Sequence, residues 1–173
     1  MGTNECPLCV VSEWTNGDKS ESGPASKSNA AIIGESDAPV WALKTLSGES
    51  IDSDSSKGKV SVLVYWASWC APCREEVPSL IALREEFPAS DLEIIGVSLD
   101  DAPRSIETFV KTYKINYTIA RNNDSLDEAF GPVRYIPTMV ILDKNGQVQQ
   151  RYTGLVGHEV IRGQIETLLN ESA

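Results

Sequence analysis

The residues of this chain best suited to covalent chemistry are four cysteines, set as two pairs of equal spacing: Cys6-Pro7-Leu8-Cys9 and Cys70-Ala71-Pro72-Cys73. The second pair stands where an apolar run ends and a charged helical pattern begins. Two thiols two residues apart in that position point to thiol-disulfide chemistry, against the plainer alternative of two small buried structural residues. Glu76, three residues further on, is the other candidate for proton chemistry, whereas His158, the single histidine, reads as a surface residue.

The elements that must hold the second pair can be read from periodicity. Lys59 to Trp66 is rich in β-branched and aromatic residues and polar only at Ser61 in its interior, the pattern of a central strand buried on both faces. From Ala71 onward, Val77, Leu80, Ile81, Leu83 and Phe87 recur at three- and four-residue spacings, with Arg74, Glu75, Arg84, Glu85 and Glu86 largely between them, which predicts an amphipathic helix. Pro72 fits only the first turn of that helix, where its missing N–H is not needed. Cys70 therefore falls at the N-cap or the first helical position, facing unpaired backbone N–H groups. The positive end of the helix dipole favours a thiolate there, and such positions lower a cysteine pKa from about 8.5 into the range of about 3.5 to 7.5. Cys70 is assigned as the nucleophile, and Cys73, one turn in, as the less exposed resolving thiol.

Helical counting puts positions 73, 76, 80, 83 and 87 on one face, so Glu76 stands on the buried stripe, one turn from Cys73. A buried carboxylate is costly, its pKa should rise, and it could then exchange protons with the thiols near neutral pH. A first-turn glutamate favoured by the helix dipole is the alternative, and it describes Glu75 better than Glu76.

The segment Trp66-Ala67-Ser68-Trp69-Cys70-Ala71-Pro72-Cys73-Arg74-Glu75-Glu76-Val77-Pro78 resembles the active-site stretch of the thioredoxin superfamily, and within it the TlpA/ResA-like thiol-disulfide oxidoreductases. The similarity runs from about Asp37 to Leu169. It implies an α/β thioredoxin-like fold: a central mixed β-sheet flanked by helices, with an N-terminal β-hairpin and a central strand-helix insertion. It also implies a cis-proline at Pro137 beside the cysteines, with the backbone of Ile136 free to pair with an extended substrate. Trp69, Ala71, Pro72, Ile136 and Pro137 are accordingly the expected substrate-binding residues, and Cys70, Cys73 and Glu76 the catalytic ones. Ordinary thioredoxins carry a core-strand aspartate where this chain has Val64; a glutamate at the position of Glu76 is similar to the TlpA/ResA-like group. Trp66 and Trp69 are expected at the apolar rim of the site, although core packing accounts equally well for Trp66.

Taken in order, the rest of the chain fits that frame. Residues 1–36 are dominated by Ser, Gly, Asn, Glu and Lys and read as a flexible tail or linker, with residues 37–173 as the thioredoxin-like domain. Cys6 and Cys9 in the tail lack the two further ligands of a zinc site, and Val10 stands where haem attachment would need histidine. They are left as residues without specific function, an auxiliary dithiol, or a metal ligand or lipidated cysteine. Asp37 to Ile51 reads as a hairpin turning at Ser47-Gly48, Leu92 to Ser98 as a buried strand, and Pro103 to Tyr113 as a helix capped by Asp101. A short strand is expected over Tyr117 to Ala120, and Ser125-Leu126-Asp127-Glu128 matches a capping box opening a helix to Phe130. A strand over Thr138 to Asp143, a turn at Lys144-Asn145-Gly146 and a strand over Gln147 to Tyr152 follow. The last helix, Gly157 to Asn170, is expected to bury Val160, Ile161, Ile165, Leu168 and Leu169, with His158 on the surface.

Composition bounds the function. A chain of 173 residues, 41% hydrophobic, supports one well-buried domain, and a formal charge of -10 argues against nucleic acid or an anionic membrane surface as a partner. No stretch is long enough to span a bilayer. No metal or cofactor is expected at the site. The resemblance implies a protein disulfide such as that of apocytochrome c as substrate, a membrane thiol-disulfide electron donor, a monomeric state, and an extracytoplasmic or periplasmic setting in a bacterium with a membrane anchor on the native protein. Two other readings share the fold. A peroxiredoxin-like thiol peroxidase usually has threonine where this chain has Ala67, and a Sco-like metal carrier needs three residues between its cysteines and a partner histidine.

Overall fold

The computed structural model describes residues 38–100 and 102–171. The tail, Cys6 and Cys9 lie outside them, as does Asp101. A short hairpin, β1 (Ala42–Lys44) and β2 (Ser50–Asp52), leads into a five-stranded mixed sheet. The sheet comprises β3 (Val60–Trp66), β4 (Leu92–Ser98), β5 (Thr118–Arg121), β6 (Thr138–Leu142) and β7 (Val148–Thr153), in the order β5-β4-β3-β6-β7. β3, β4 and β5 run parallel, while β6 and β7 are antiparallel to their neighbours. Four helices complete the fold among the described residues: α1 (Ala71–Glu86), α2 (Pro103–Tyr113), α3 (Asp124–Phe130) and α4 (His158–Asn170).

All seven residues of β3 are buried, as expected of a strand with two covered faces. Its even-numbered residues Val60, Val62 and Val64 pack with Leu80 and Leu83 of α1 and with Ile161, Ile165 and Leu168 of α4. Its odd-numbered Leu63 and Tyr65 pack on the opposite face with Trp41 and Leu43 of the hairpin segment and Leu126 of α3. The last residue of the strand belongs to neither layer. Trp66 stacks on Phe109 of α2 with ring centroids 4.4 Å apart, and these two form a third cluster with Ala67, Cys70, Cys73 and Val77. The inserted helix α2 thus packs against the redox segment, and Trp66 is core rather than rim.

Gly96 of β4 is what lets these layers meet. A Cβ there would lie 2.6 Å from Ile119 Cδ1, 3.0 Å from Trp66 Nε1 and 3.2 Å from Tyr117 Cε2. Only a residue without a side chain allows so close an approach.

Several expectations about local structure need correction. Ser125 does not cap α3; Asn123 does, accepting the Leu126 N–H at 3.1 Å. Ser125 Oγ instead accepts the Ala42 N–H at 3.0 Å while Asn123 Nδ2 donates to the Ala42 carbonyl at 2.8 Å, so the start of α3 holds the hairpin. The hairpin in turn covers the free edge of β5, where Leu46 N–H donates to the Ile119 carbonyl at 3.0 Å, an arrangement that removes an exposed strand edge. The N-cap of α2 is Ala102, without a side-chain capping bond. Val160 is 52% exposed, because α4 buries only the stripe through Ile161, Ile165 and Leu168.

Substituting Gly96→Ala should destabilise the fold by about 1 to 3 kcal/mol, the usual range for an extra methyl group forced into a packed core. Urea unfolding of the two proteins measures it, and an unchanged midpoint would mean that Ile119 rotates away at no cost.

Candidate active site

Cys70 is the N-cap of α1, with extended backbone, and its side chain accepts the Cys73 N–H at 3.3 Å. Pro72 lies in the first turn of the helix, where its lack of an N–H costs nothing. Pro78 lies inside the same helix and cannot donate to the Arg74 carbonyl, one turn back; Pro78 itself is exposed. Cys70 and Cys73 are joined as a disulfide, with Cα atoms 5.3 Å apart.

The turn before Cys70 is tightly held. Cys70 N–H donates to the Ala67 carbonyl at 3.1 Å, and Leu99 N–H donates to the Trp66 carbonyl at 2.8 Å. Asp100, only 8% exposed, accepts both the Ser68 N–H and the Ser68 hydroxyl at 2.7 Å. Neither Asp100 nor Ser68 stands out in the sequence, since an aspartate after a strand reads as an ordinary loop residue.

The second wall of the site is the segment before β6. The Ile136-Pro137 bond is cis, as the resemblance implies, and the Ile136 carbonyl oxygen lies 3.8 Å from the Cys70 sulfur. That oxygen is therefore directed at the Cys70 sulfur. Trp69 and Tyr135 flank these two contact points in sequence and are 69% and 72% exposed. Ala71 and Pro72 are exposed too. The expected contrast between an open Cys70 and a covered Cys73 is absent, because Cys70 is packed among Trp66, Ala67 and Ile136 and is as buried as its partner.

Glu76 is buried as its helical position requires, at 1% exposure, among the Leu80 and Leu83 stripe. Neither of its carboxylate oxygens has a hydrogen-bond partner among the described residues. Burial pushes its pKa up to about 7, opposed weakly by the backbone N–H of Val156, which approaches without closing a well-formed hydrogen bond. The Tyr117 phenol is raised in its turn, first by its own burial and then by the Glu76 charge, which marks the two side chains as electrostatic neighbours. Val64, the strand position where thioredoxins carry aspartate, is an apolar core residue at 2% exposure. His158 is partly buried at the start of α4, with no link to the cysteines in the structure described.

A disulfide-forming pair at a strand-helix junction, facing a cis-proline segment and backed by a buried carboxyl, defines a thioredoxin-fold thiol-disulfide oxidoreductase. Residues 35–151 match the family model described as the AhpC/TSA family, and the chain belongs to that family. It is 34% identical over 132 residues to the thioredoxin-like protein YneN of Bacillus subtilis, covering 75% of this chain and 76% of that protein. The thiol-disulfide oxidoreductase ResA of Bacillus cereus is 29% identical over 150 residues, covering 86% of this chain and 83% of ResA. Among solved structures, a secreted Mycobacterium tuberculosis disulfide oxidoreductase homologous to Escherichia coli DsbE superposes with a TM-score of 0.63 at 25% identity, covering 74% of this chain and 96% of that one.

The raised pKa of Glu76 gives stability a definite pH dependence. The folded protein holds this proton more tightly than the unfolded chain, so the contribution is fully present below about pH 4.5 and is lost as pH rises through about 7. From the unfolded to the folded value the loss is about 3 to 4 kcal/mol, at about 1.4 kcal/mol per pKa unit. Glu76→Gln should flatten that decline. Urea unfolding of both oxidised proteins between pH 4.5 and 8.5 measures the difference, and parallel profiles would assign the proton elsewhere.

Proposed function

We propose that this enzyme reduces disulfide bonds in proteins, with Cys70 as attacking thiol, Cys73 as resolving thiol and Glu76 as the group that exchanges protons with Cys73. The observation that carries the reading is the Cys70 N-cap, where the sulfur accepts a helix N–H and would do so more strongly as a thiolate.

In the first step the Cys70 thiolate attacks one sulfur of the substrate disulfide, forming a mixed disulfide and expelling the other substrate sulfur as a thiolate. In the second, the Cys73 thiol gives its proton to the Glu76 carboxylate and attacks the Cys70 sulfur. The second substrate sulfur leaves, and both substrate thiolates are protonated. Two electrons pass from the enzyme dithiol to the substrate, and the Cys70–Cys73 disulfide remains. A base with a pKa near 7 suits that transfer at neutral pH, since it is ready both to take and to release a proton.

A protein, rather than a small molecule, is supported as substrate by the exposed Trp69 and Tyr135, apolar surface of the kind that macromolecular contacts use. In this reading the Ile136 and Pro137 backbone is the edge that an extended segment pairs with, and Ala71 and Pro72, exposed at the helix start, add further contacts. Apocytochrome c or another oxidised extracytoplasmic protein is the proposed substrate, and a membrane thiol-disulfide protein the proposed donor that restores the dithiol. The setting on the outer side of a bacterial membrane follows the secreted relative. The chain acts as a monomer held by an anchor on the native protein, with residues 1–36 as tether. A thiol peroxidase is the weaker reading, because Ala67 replaces the usual threonine and the cysteine pair closes within one helical turn.

The test is the reduction potential of the Cys70–Cys73 pair, with Cys6 and Cys9 changed to serine. A value near that of thioredoxin, about -270 mV, is expected, whereas one near about -120 mV, the range of a dedicated oxidant, would overturn the reductase reading. In the same background Cys73→Ser should accumulate a mixed disulfide through Cys70 when mixed with an oxidised protein substrate. Failure to trap that adduct would remove Cys73 as the resolving thiol.

A further inference from the structure

Every backbone donor in the turn between β3 and α1 has to find an acceptor once the sheet ladder ends, and Ser68 finds an unusual one. Asp100 Oδ2 accepts the Ser68 N–H and Asp100 Oδ1 accepts the Ser68 hydroxyl, both at 2.7 Å, so one carboxylate grips one residue at two points. Ser98 Oγ donates to the same Oδ2 at 3.1 Å and accepts the Asp100 N–H at 3.1 Å. Ser98 is 1% exposed and is the β4 partner of Trp66, the last residue of β3. A continuous set of bonds therefore runs from the end of β4, through Asp100, to the residue two positions before Cys70. From there the turn closes through the Cys70 N–H to the Ala67 carbonyl at 3.1 Å, which sets the direction in which the sulfur leaves the helix.

We propose that Asp100 is a positioning residue for thiol attack: its two-point hold on Ser68 fixes the turn Ala67 to Cys70, and so the line along which the Cys70 sulfur meets an incoming disulfide. Displacement of a sulfur requires the attacking, central and leaving sulfurs to lie close to one line, so a loose turn lowers the rate even when the thiolate is fully formed. Short charge-assisted bonds are the means by which a loop can be held to that tolerance. Packing alone would not do so, since Ser68 is only partly buried and Trp69 is exposed. The proposal rests on Cys70 being the attacking thiol.

The experiment uses the whole chain with Cys6 and Cys9 changed to serine, reduced, and reacted in a single turnover with 5,5′-dithiobis(2-nitrobenzoate). The rate is followed with pH up to its plateau, where Cys70 is fully ionised and differences in thiol pKa no longer enter. D100A should lower the plateau rate by about tenfold to a hundredfold, the scale on which small misplacements act. S68A, which keeps the backbone bond, should fall between, and D100N, which keeps an acceptor oxygen, should recover most of the rate. A folded D100A with the wild-type plateau overturns the proposal. If D100A does not fold, S68A decides: a wild-type plateau there overturns the proposal as well. Should Cys70→Ser leave the reaction with the probe intact, the assignment of Cys70 fails first and the role of Asp100 with it.

Discussion

One contact sets the terms for the rest of the molecule: the Cys73 N–H donating to the sulfur of Cys70. It exists only if Cys70 caps a helix, and a helix can begin there only if a rigid strand delivers the chain to that point. β3 supplies the rigidity, since it is buried along its whole length and paired on both sides by β4 and β6. The hairpin, α3 and α4 contribute at a distance by covering the two faces of that strand. Because the sheet also brings Ile136 and the cis-proline to the sulfur, the cysteine pair and the backbone facing it are placed by neighbouring strands of one sheet.

Glu76 is the cost of this arrangement. An unpartnered carboxyl in a stripe of leucines is among the least favourable things a core can hold, and it persists here as the neutral acid at low pH. A stability-optimised helix would place leucine or methionine there. The residue lies one turn from Cys73, which is where the proposed proton exchange with the thiols would need it.

Much of this was legible in the sequence because it depends on local pattern. The strand, the helix start at Cys70 and the buried position of Glu76 follow from hydrophobic spacing and the rules for helix ends, and the hairpin from its turn at Gly48. What was misread depends on contacts between distant segments. Ser125 fits a capping box locally, but the hairpin eighty-three residues earlier claims its hydroxyl. Val160 is apolar and one position off the buried stripe, so only packing against the sheet shows that it faces outward. The burial of Cys70 depends on Ile136, sixty-six residues away. Asp100 and Ser68 carry no sequence signal for the same reason, since their bond joins two loops that no periodicity links.

The charges around the pair also bear on the direction of electron flow. A helix N-terminus stabilises the Cys70 thiolate, and carried to its limit such stabilisation makes a dithiol a strong oxidant, because the reduced form becomes the favoured one. Here the carboxyl of Glu76, one turn from Cys73, works against that limit. Negative charge beside a thiolate raises its energy and leaves the neutral disulfide untouched, so the ionised form of Glu76, populated as pH rises through about 7, favours the oxidised pair. An apolar residue at 76 would remove that pH-dependent bias and leave the helix N-terminus to act on Cys70 alone, so the carboxyl as well as the cysteine spacing sets the balance between dithiol and disulfide.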